Sequence, residues 1–421
     1  MATNAGAELS ELDRFRAAVL SDVALQEALH TYDDQEGFVA RALEIAGQHG
    51  INLIARDLEP ALRYDPLGLA RWTGGSITAS SPQIGWLPIH ITLLHGQSCV
   101  DWAYFGQRQL TEPFFEDSIR GVLRKPINRL ARYRTFLGDL PTWAEQHPGL
   151  QPSGFIFHMS RCGSTLVSQM LAADPRNIVI SEASPIDAIA RLDPSAFGLD
   201  DSKHAALLKA TIGALGQRRA HHQTRHFIKL DSWHTLSLPL FRRAFPSVPW
   251  IFLYREPSEV LASQLRQRGI QTVPEYLSPI MFGLKPEDSL PPDVYCARLL
   301  NRICEAALQP LSEGGGLPVN YTQLPQALWT MIMPHFDIEC SDRDREIMLE
   351  KARYDSKMPT IEFSTDGDDR RQTIMASARP IAERYIGAAY RRLEVLRLGK
   401  PANREITTDE SGSCDADSAT S

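Results

Sequence analysis

The stretch GFIFHMSRCGSTLVSQML (154–171) decides how the rest of the chain is read. An apolar strand, GFIFHM (154–159), runs into Ser160-Arg161-Cys162-Gly163-Ser164-Thr165 and then directly into a helix carrying Leu166, Met170 and Leu171. A strand, a tight glycine-containing loop and a hydroxyl-rich helix start form a cradle for an anion. Free backbone N–H groups and the helix dipole point at the charge, and the cation and hydroxyls complete the shell. The loop is not the nucleoside-triphosphate motif GxxxxGK[ST]. With Gly163 as the second glycine, His158 stands where the first would be and Ser164 where the lysine would be. Standard ATP or GTP hydrolysis is therefore disfavoured. Taken alone, the loop reads equally well as an ordinary βα turn with a capping serine.

Downstream, apolar strands alternate with amphipathic helices. NIVIS (177–181), HFIKL (226–230), WIFLYR (250–255) and LPVNY (317–321) join GFIFHM as predicted strands. Strands separated by helical segments imply βαβ units. The expected fold is therefore α/β, a P-loop-type parallel β-sheet flanked by helices, preceded by a small all-α domain. A second chemical site follows WIFLYR, where a buried strand ends in Arg255-Glu256-Pro257 and Pro257 suits the first turn of a helix. Ser263 falls about two turns into that helix. Arginine offers a rigid fork to a phosphate and a helical serine adds a hydroxyl; the plainer reading is a strand-end arginine in a surface ion pair. Both sites sit at strand C-termini, the edge where open α/β sheets collect ligands. A loop for one phosphate and an Arg…Ser pair for another describe a bisphosphorylated nucleotide.

The bulk properties bound these readings. The chain has 421 residues with a formal net charge of -7, and it is 43% hydrophobic and 23% charged. These are globular values, and mild acidity argues against a dedicated duplex-DNA binder. Length alone predicts two or three domains. No apolar run reaches the ~18 residues of a membrane span, and the N-terminus lacks the basic and apolar regions of a signal peptide. Six scattered cysteines (Cys99, Cys162, Cys296, Cys304, Cys340, Cys414) form no C-x-x-C pair, so the expectation is a reduced, cytoplasmic protein. Residues 401–421 hold one arginine against five acids and almost no apolar side chains; they are expected to be a disordered tail. Without them the chain is close to neutral.

Residues 8–62 read as a helical unit of three helices, with Leu12, Phe15 and Val19 on one face, Phe38, Ala42 and Ile45 on a second, and LIARDLEPAL as a short third. Ser21 and Asp22 would break or cap the first run. So few helices bury only a small core, so the unit is expected to lean on a neighbour. FRAAVLSDVALQEAL, FVARALEIAGQHGINL and DLEPAL resemble the leader domain of the Nif-eleven and nitrile-hydratase type, which modifying enzymes recognise; the resemblance implies a maturation-protein partner. The plainer reading is a generic docking or packing hairpin. Residues 63–150 are β-branched and aromatic, and predict one or two strands followed by a helix around Ser118 to Leu137. His90, His95 and Asp101 are conceivable metal ligands but read as structural.

SRCGSTL and YREPSEVLASQ together resemble the 5′-phosphosulfate loop and the 3′-phosphate motif of the sulfotransferase family, which uses 3′-phosphoadenosine 5′-phosphosulfate. The resemblance covers roughly residues 152–360 and is nearest to the tyrosylprotein and bacterial types. It implies that Arg161 is the cation of the loop, that Cys162, Gly163, Ser164 and Thr165 surround the 5′-phosphate, and that Arg255 and Ser263 hold the 3′-phosphate. It further implies a catalytic glutamate at Glu182, which alone would read as an acid at a helix N-terminus, and a lysine beside the transferring group at Lys229. Ser164 departs from a usual threonine and Cys162 from a usual serine. Ser356 and Lys357 are offered for the late cofactor loop. His158, in the strand before the loop, and His234, shortly after Lys229, could each serve as a base but read as structural histidines.

The expected activity is sulfuryl transfer to a hydroxyl of a peptide or natural product, with no metal required, a carboxylate taking the acceptor proton, and Arg161 and Lys229 stabilising charge on the leaving nucleotide. The alternatives are a P-loop kinase-like phosphotransferase and a non-catalytic interaction protein acting through the leader-like helices. The expected domains are 8–62, 63–150 and 151–398, followed by the tail at 401–421.

Overall fold

The computed structural model describes residues 9–63, 77–78, 81–274, 276–285, 289–353 and 368–399. Ser356, Lys357, Cys414 and the tail at 401–421 lie outside the described residues.

Four helices open the chain: α1 (Glu11–Ser21), α2 (Val23–His30), α3 (Gln35–Gln48) and α4 (Ala55–Leu58). The expected three become four because Asp22 splits the first run, its carboxylate accepting the N–H groups of Ala24 and Leu25 at the start of α2. Phe15, Val19, Phe38, Ala42 and Ile45 are buried, as the stripes predict. These helices do lean on a neighbour, a three-stranded antiparallel sheet of β1 (Trp86–Leu94), β2 (Gln97–Tyr104) and β3 (Tyr133–Phe136) in the order β1-β2-β3. Buried Gln26 ties them together: its Nε2 donates to the carbonyls of Val19 (3.0 Å) and Leu20 (3.2 Å), and its Oε1 accepts the Trp86 indole N–H at 2.9 Å. The Tyr133 hydroxyl donates to the Leu20 carbonyl.

The long helix expected around Ser118 to Leu137 is corrected to α5 (Phe115–Leu123), α6 (Pro126–Leu130) and then β3. Pro126 cannot continue a helix and pushes Lys125 out of the helical region. Beyond it, β-prone Tyr133–Phe136 pairs with β2, Trp102 opposite Tyr133 and Cys99 opposite Phe136. The expected one or two strands are therefore three. A short helix, α7 (Leu140–Gln146), closes this region.

The α/β part holds five parallel strands: β4 (Gly154–His158), β5 (Asn177–Ser181), β6 (Arg225–Lys229), β7 (Trp250–Tyr254) and β8 (Gly316–Asn320), in the order β5-β6-β4-β7-β8. Each coincides with a predicted strand to within a residue at either end. β4, β5 and β7 are buried along their whole length, as strands covered on both faces must be, while β6 carries Arg225, His226 and Lys229 and edge strand β8 is half-buried over its first three residues. The chain starts at the centre with β4, goes to one edge with β5, returns with β6 between them, and then crosses to the other side with β7 and β8. This creates a switch in direction beside β4, the position of a ligand crevice. The helices are α8 (Ser164–Ala172), α9 (Ser184–Ala190), α10 (Asp201–Leu215), α11 (Leu238–Ala244), α12 (Pro257–Arg266), α13 (Pro292–Glu313), α14 (Met333–His335), α15 (Asp342–Ala352), α16 (Asp368–Tyr385) and α17 (Gly387–Leu398). Helix α10 packs with α9 and α11, and α12 and α13 pack with α16. No helix among the described residues is long and apolar enough to cross a membrane.

Gln26→Ala removes three hydrogen bonds and leaves the Trp86 N–H buried without an acceptor. The expected loss is about 2–4 kcal/mol, read as a lowered urea midpoint.

Candidate functional site

A cavity of about 570 Å³ opens over the C-terminal edge of the parallel sheet. Arg161, Cys162, Gly163, Ser164, Thr165, Glu182, Arg255 and Ser263 all line it, although they come from three separate strand ends. Among the residues singled out from the sequence, Lys229 does not line the wall. Its side chain is fully buried and meets the cavity through Glu182.

The loop after β4 is shaped by backbone conformation. Ser160, Arg161 and Gly163 have φ of 80°, 52° and 85°. Two non-glycine residues in the left-handed region are strained, and such strain persists only where the surroundings enforce it. Ser160 Oγ accepts Nε2–H donors from buried Gln264 on α12 and from Gln271 beyond it, both at 2.9 Å. The Ser160 N–H donates to His158 Nδ1 at 3.0 Å, and Arg161 Nη2 donates to the Gln267 carbonyl at 2.6 Å. At Gly163 glycine is required twice over: its φ is positive, and a Cβ would stand 2.7 Å from Leu324 Cδ1. The Cys162 thiol turns back to the sheet, donating to the Leu253 carbonyl at 3.1 Å, and burial pushes its pKa up to about 12. Only its backbone N–H is left to face a ligand. Ser164 and Thr165 begin α8 with hydroxyls that make no side-chain hydrogen bond among the described residues, so a ligand meets them unoccupied.

Glu182 follows β5 with φ 53°, and its N–H donates to the Lys229 carbonyl at 2.8 Å. Its carboxylate takes the Lys229 ammonium and stands 3.6 Å from His158 Nε2. Although burial opposes ionisation, the Lys229 charge and His158 hold Glu182 down at about 2. Both nitrogens of His158 are committed, Nδ1 accepting from Ser160 and Nε2 donating to the Leu230 carbonyl at 2.8 Å, and burial lowers its pKa. Arg255 donates Nε–H to Glu259 and stacks on Tyr321, its guanidinium carbon 4.1 Å from the ring centroid. Among the described residues its two terminal NH2 groups make no side-chain hydrogen bond.

Several further lining residues escaped the sequence reading, among them Phe114, Asp231, Trp233, Gln271 and Tyr321. Phe114, which comes from the N-terminal half, places its ring 4.9 Å from Lys229 Nζ. Asp231 had a legible signal, since it stands two residues after Lys229 at the same strand end. Of the conceivable metal ligands, Asp101 is bound to Arg134 at 2.5 Å, His90 meets Ser184 Oγ at 3.3 Å and His95 lies in the β1–β2 turn. The ligand-type side chains that do converge are Asp187, Asp231 and His234. There Asp187 Oδ1 already accepts from Trp233 (2.7 Å) and His234 (2.9 Å), and Oδ2 from Arg191 (3.0 Å).

No protein-family model matches the chain, the leader-like helices included, and no curated protein matches it. Among solved structures it is similar to the sulfotransferase domain from the curacin biosynthetic pathway, at 16% identity with TM-score 0.35, over 60% of this chain and 98% of that one. It is also similar to the sulfotransferase domain from the Synechococcus PCC 7002 olefin synthase, at 17% identity with TM-score 0.36, over 59% and 95%. A Mycobacterium avium sulfotransferase aligns at 13% identity with TM-score 0.36, over 65% and 86%.

Because the Glu182 pKa is depressed below its ordinary 4.5, its pairing stabilises the fold above that value and the contribution is lost as pH falls toward about 2. Glu182→Gln is expected to flatten the stability profile between about pH 5 and 2, measured by urea unfolding across that range.

Proposed function

We propose that the protein transfers a sulfuryl group from 3′-phosphoadenosine 5′-phosphosulfate to an acceptor hydroxyl. The observation that carries this reading is the meeting, in one cavity, of a strained amide loop, an arginine–serine pair from another strand end and a lysine-held carboxylate. The first two are separate anion-binding elements on a single wall, which suits a nucleotide carrying phosphates at both ends. The third is a base that stays ionised.

In this reading the amides of the loop with Ser164 and Thr165 receive the 5′-phosphate side, and Arg255 with Ser263 the 3′-phosphate. The Arg255 guanidinium lies over the Tyr321 ring, 4.1 Å from its centroid, which limits its rotamers. An acceptor oxygen attacks sulfur in line. The new O–S bond forms as the bond from sulfur to the bridging phosphate oxygen breaks, and the hydroxyl proton passes to the Glu182 carboxylate. Arg161 stands on the wall where charge grows on the leaving phosphate. Lys229 acts one atom removed, holding Glu182 ionised and in place.

Calorimetry with 3′-phosphoadenosine 5′-phosphate and ADP tests the donor. The bisphosphate is expected to bind tenfold or more tightly than ADP, about 1.4 kcal/mol or above, and Arg255→Ala to erase the difference. Equal affinities overturn the reading. Glu182→Gln is expected to keep nucleotide affinity while sulfuryl transfer drops by about 10²–10⁴-fold; full transfer activity in that variant removes Glu182 as the base.

A further inference from the structure

The two ends of the cavity differ in character. The loop end presents amides, Arg161 and Arg255. The end beside Glu182 is walled by two aromatic rings, Phe114 and Trp233, and by a second carboxyl, Asp231.

Asp231 follows Lys229 by two residues at the end of β6, a spacing that returns it to the same side of the strand. It is 7% exposed. Its backbone carbonyl accepts the His234 N–H at 3.0 Å and opens the short 3-10 turn that follows. No lysine or arginine among the described residues pairs with it. His234 Nδ1 lies 3.9 Å from Oδ2, but that nitrogen accepts the Asp231 N–H at 3.3 Å and so carries no proton. Lys229, the cation closest in sequence, is bound to Glu182. Lys229 and Arg191 favour its ionised form from a distance without pairing with it, and a carboxyl buried in a cavity wall with no cation in contact is unfavourable in its ionised form. Burial and the neighbouring negative charges of Glu182 and Asp187 accordingly push its pKa well above the usual carboxylate range. A cation placed against it from the cavity would restore the charged form, and aromatic rings favour the same kind of guest.

We propose that the acceptor carries a positively charged ammonium group, bound by Asp231 beside the rings of Phe114 and Trp233, and thereby presents its hydroxyl to Glu182. The hydroxyl chemistry rests on the sulfuryl-transfer reading, whereas the recognition of the cation does not require it. An anionic acceptor would meet two carboxyls at this end. A neutral one would leave Asp231 protonated and without a role in binding.

Tyramine and 4-ethylphenol share a ring and a hydroxyl and differ in the ammonium, so they serve as probes. Calorimetry on the full chain without nucleotide is expected to show tyramine binding tenfold or more tightly than 4-ethylphenol near pH 7. Asp231→Asn keeps the size of the side chain, removes its charge, and is expected to bring the two probes to equal affinity. Equal affinities in the unaltered protein, no measurable tyramine binding, or a preference that survives in Asp231→Asn each overturn the proposal. Failure of the donor reading shows separately: if 3′-phosphoadenosine 5′-phosphate binds no better than ADP while the tyramine preference stands, the ammonium site survives and the donor assignment falls.

Discussion

The pairing of Lys229 with Glu182 is the constraint around which the C-terminal edge of the sheet is arranged. A lysine with a fully buried side chain is tolerable only with its charge answered, and removing one partner of such a pair leaves an uncompensated charge. The pair joins the ends of β5 and β6. The same Glu182 also supplies the N–H bonded to the Lys229 carbonyl, so backbone and side chain fasten the two strands together. His158, at the end of neighbouring β4, reaches toward this carboxylate with one nitrogen and receives the Ser160 N–H with the other. Three adjacent strand ends thus share one polar cluster. The left-handed turn at Glu182 and the one starting at Ser160 both spring from it.

The anion loop depends in turn on residues far away in the chain. Its strained φ angles are held by Gln264 and Gln271 on Ser160 and by the Gln267 carbonyl on Arg161, all from α12 or just beyond. Arg255 opens the segment that leads into α12. The two candidate phosphate elements are therefore mechanically coupled, since a shift of α12 would move Arg255 and release the clamp on Ser160 together. A site built this way is formed in advance of its ligand, which reduces the ordering cost of binding.

What could be read from the residues, and what could not, divides along physical lines. The five parallel strands were legible because most are short, mainly apolar runs between helical segments, and NIVIS and WIFLYR have no competing helical period. The helix expected around Ser118 to Leu137 failed because amphipathic spacing in Ile119, Val122 and Leu123 was carried past Pro126, while the strand pairing of Tyr133–Phe136 is a long-range contact invisible to local pattern. At the site, loop residues within one motif could be grouped from sequence. Phe114 could not, because it comes from the opposite half of the chain and nothing local marks it. Asp231 was in plain view beside Lys229, yet its environment follows only from the approach of Glu182 and Asp187.

The region between the helical start and the parallel sheet also gains a physical role from these contacts. Ser184, at the start of α9 and two residues past Glu182, donates its hydroxyl to the Ile89 carbonyl on β1 at 2.9 Å. Gln109 donates to the Ala172 carbonyl at the end of α8, and Arg219 donates to the Arg108 carbonyl. The small antiparallel sheet is thereby bonded to the helices that follow β4 and β5, the strands whose ends build the loop and hold Glu182. Phe114 then enters the cavity from this sheet unit rather than from the α/β part. Residues 81–150 therefore bear on the cavity through Phe114, through the Glu182 turn and, by way of α8, through the end of the loop. The Glu182 side of the cavity is thus braced by the antiparallel sheet as well as by the parallel one, and the Ser160 loop by α12.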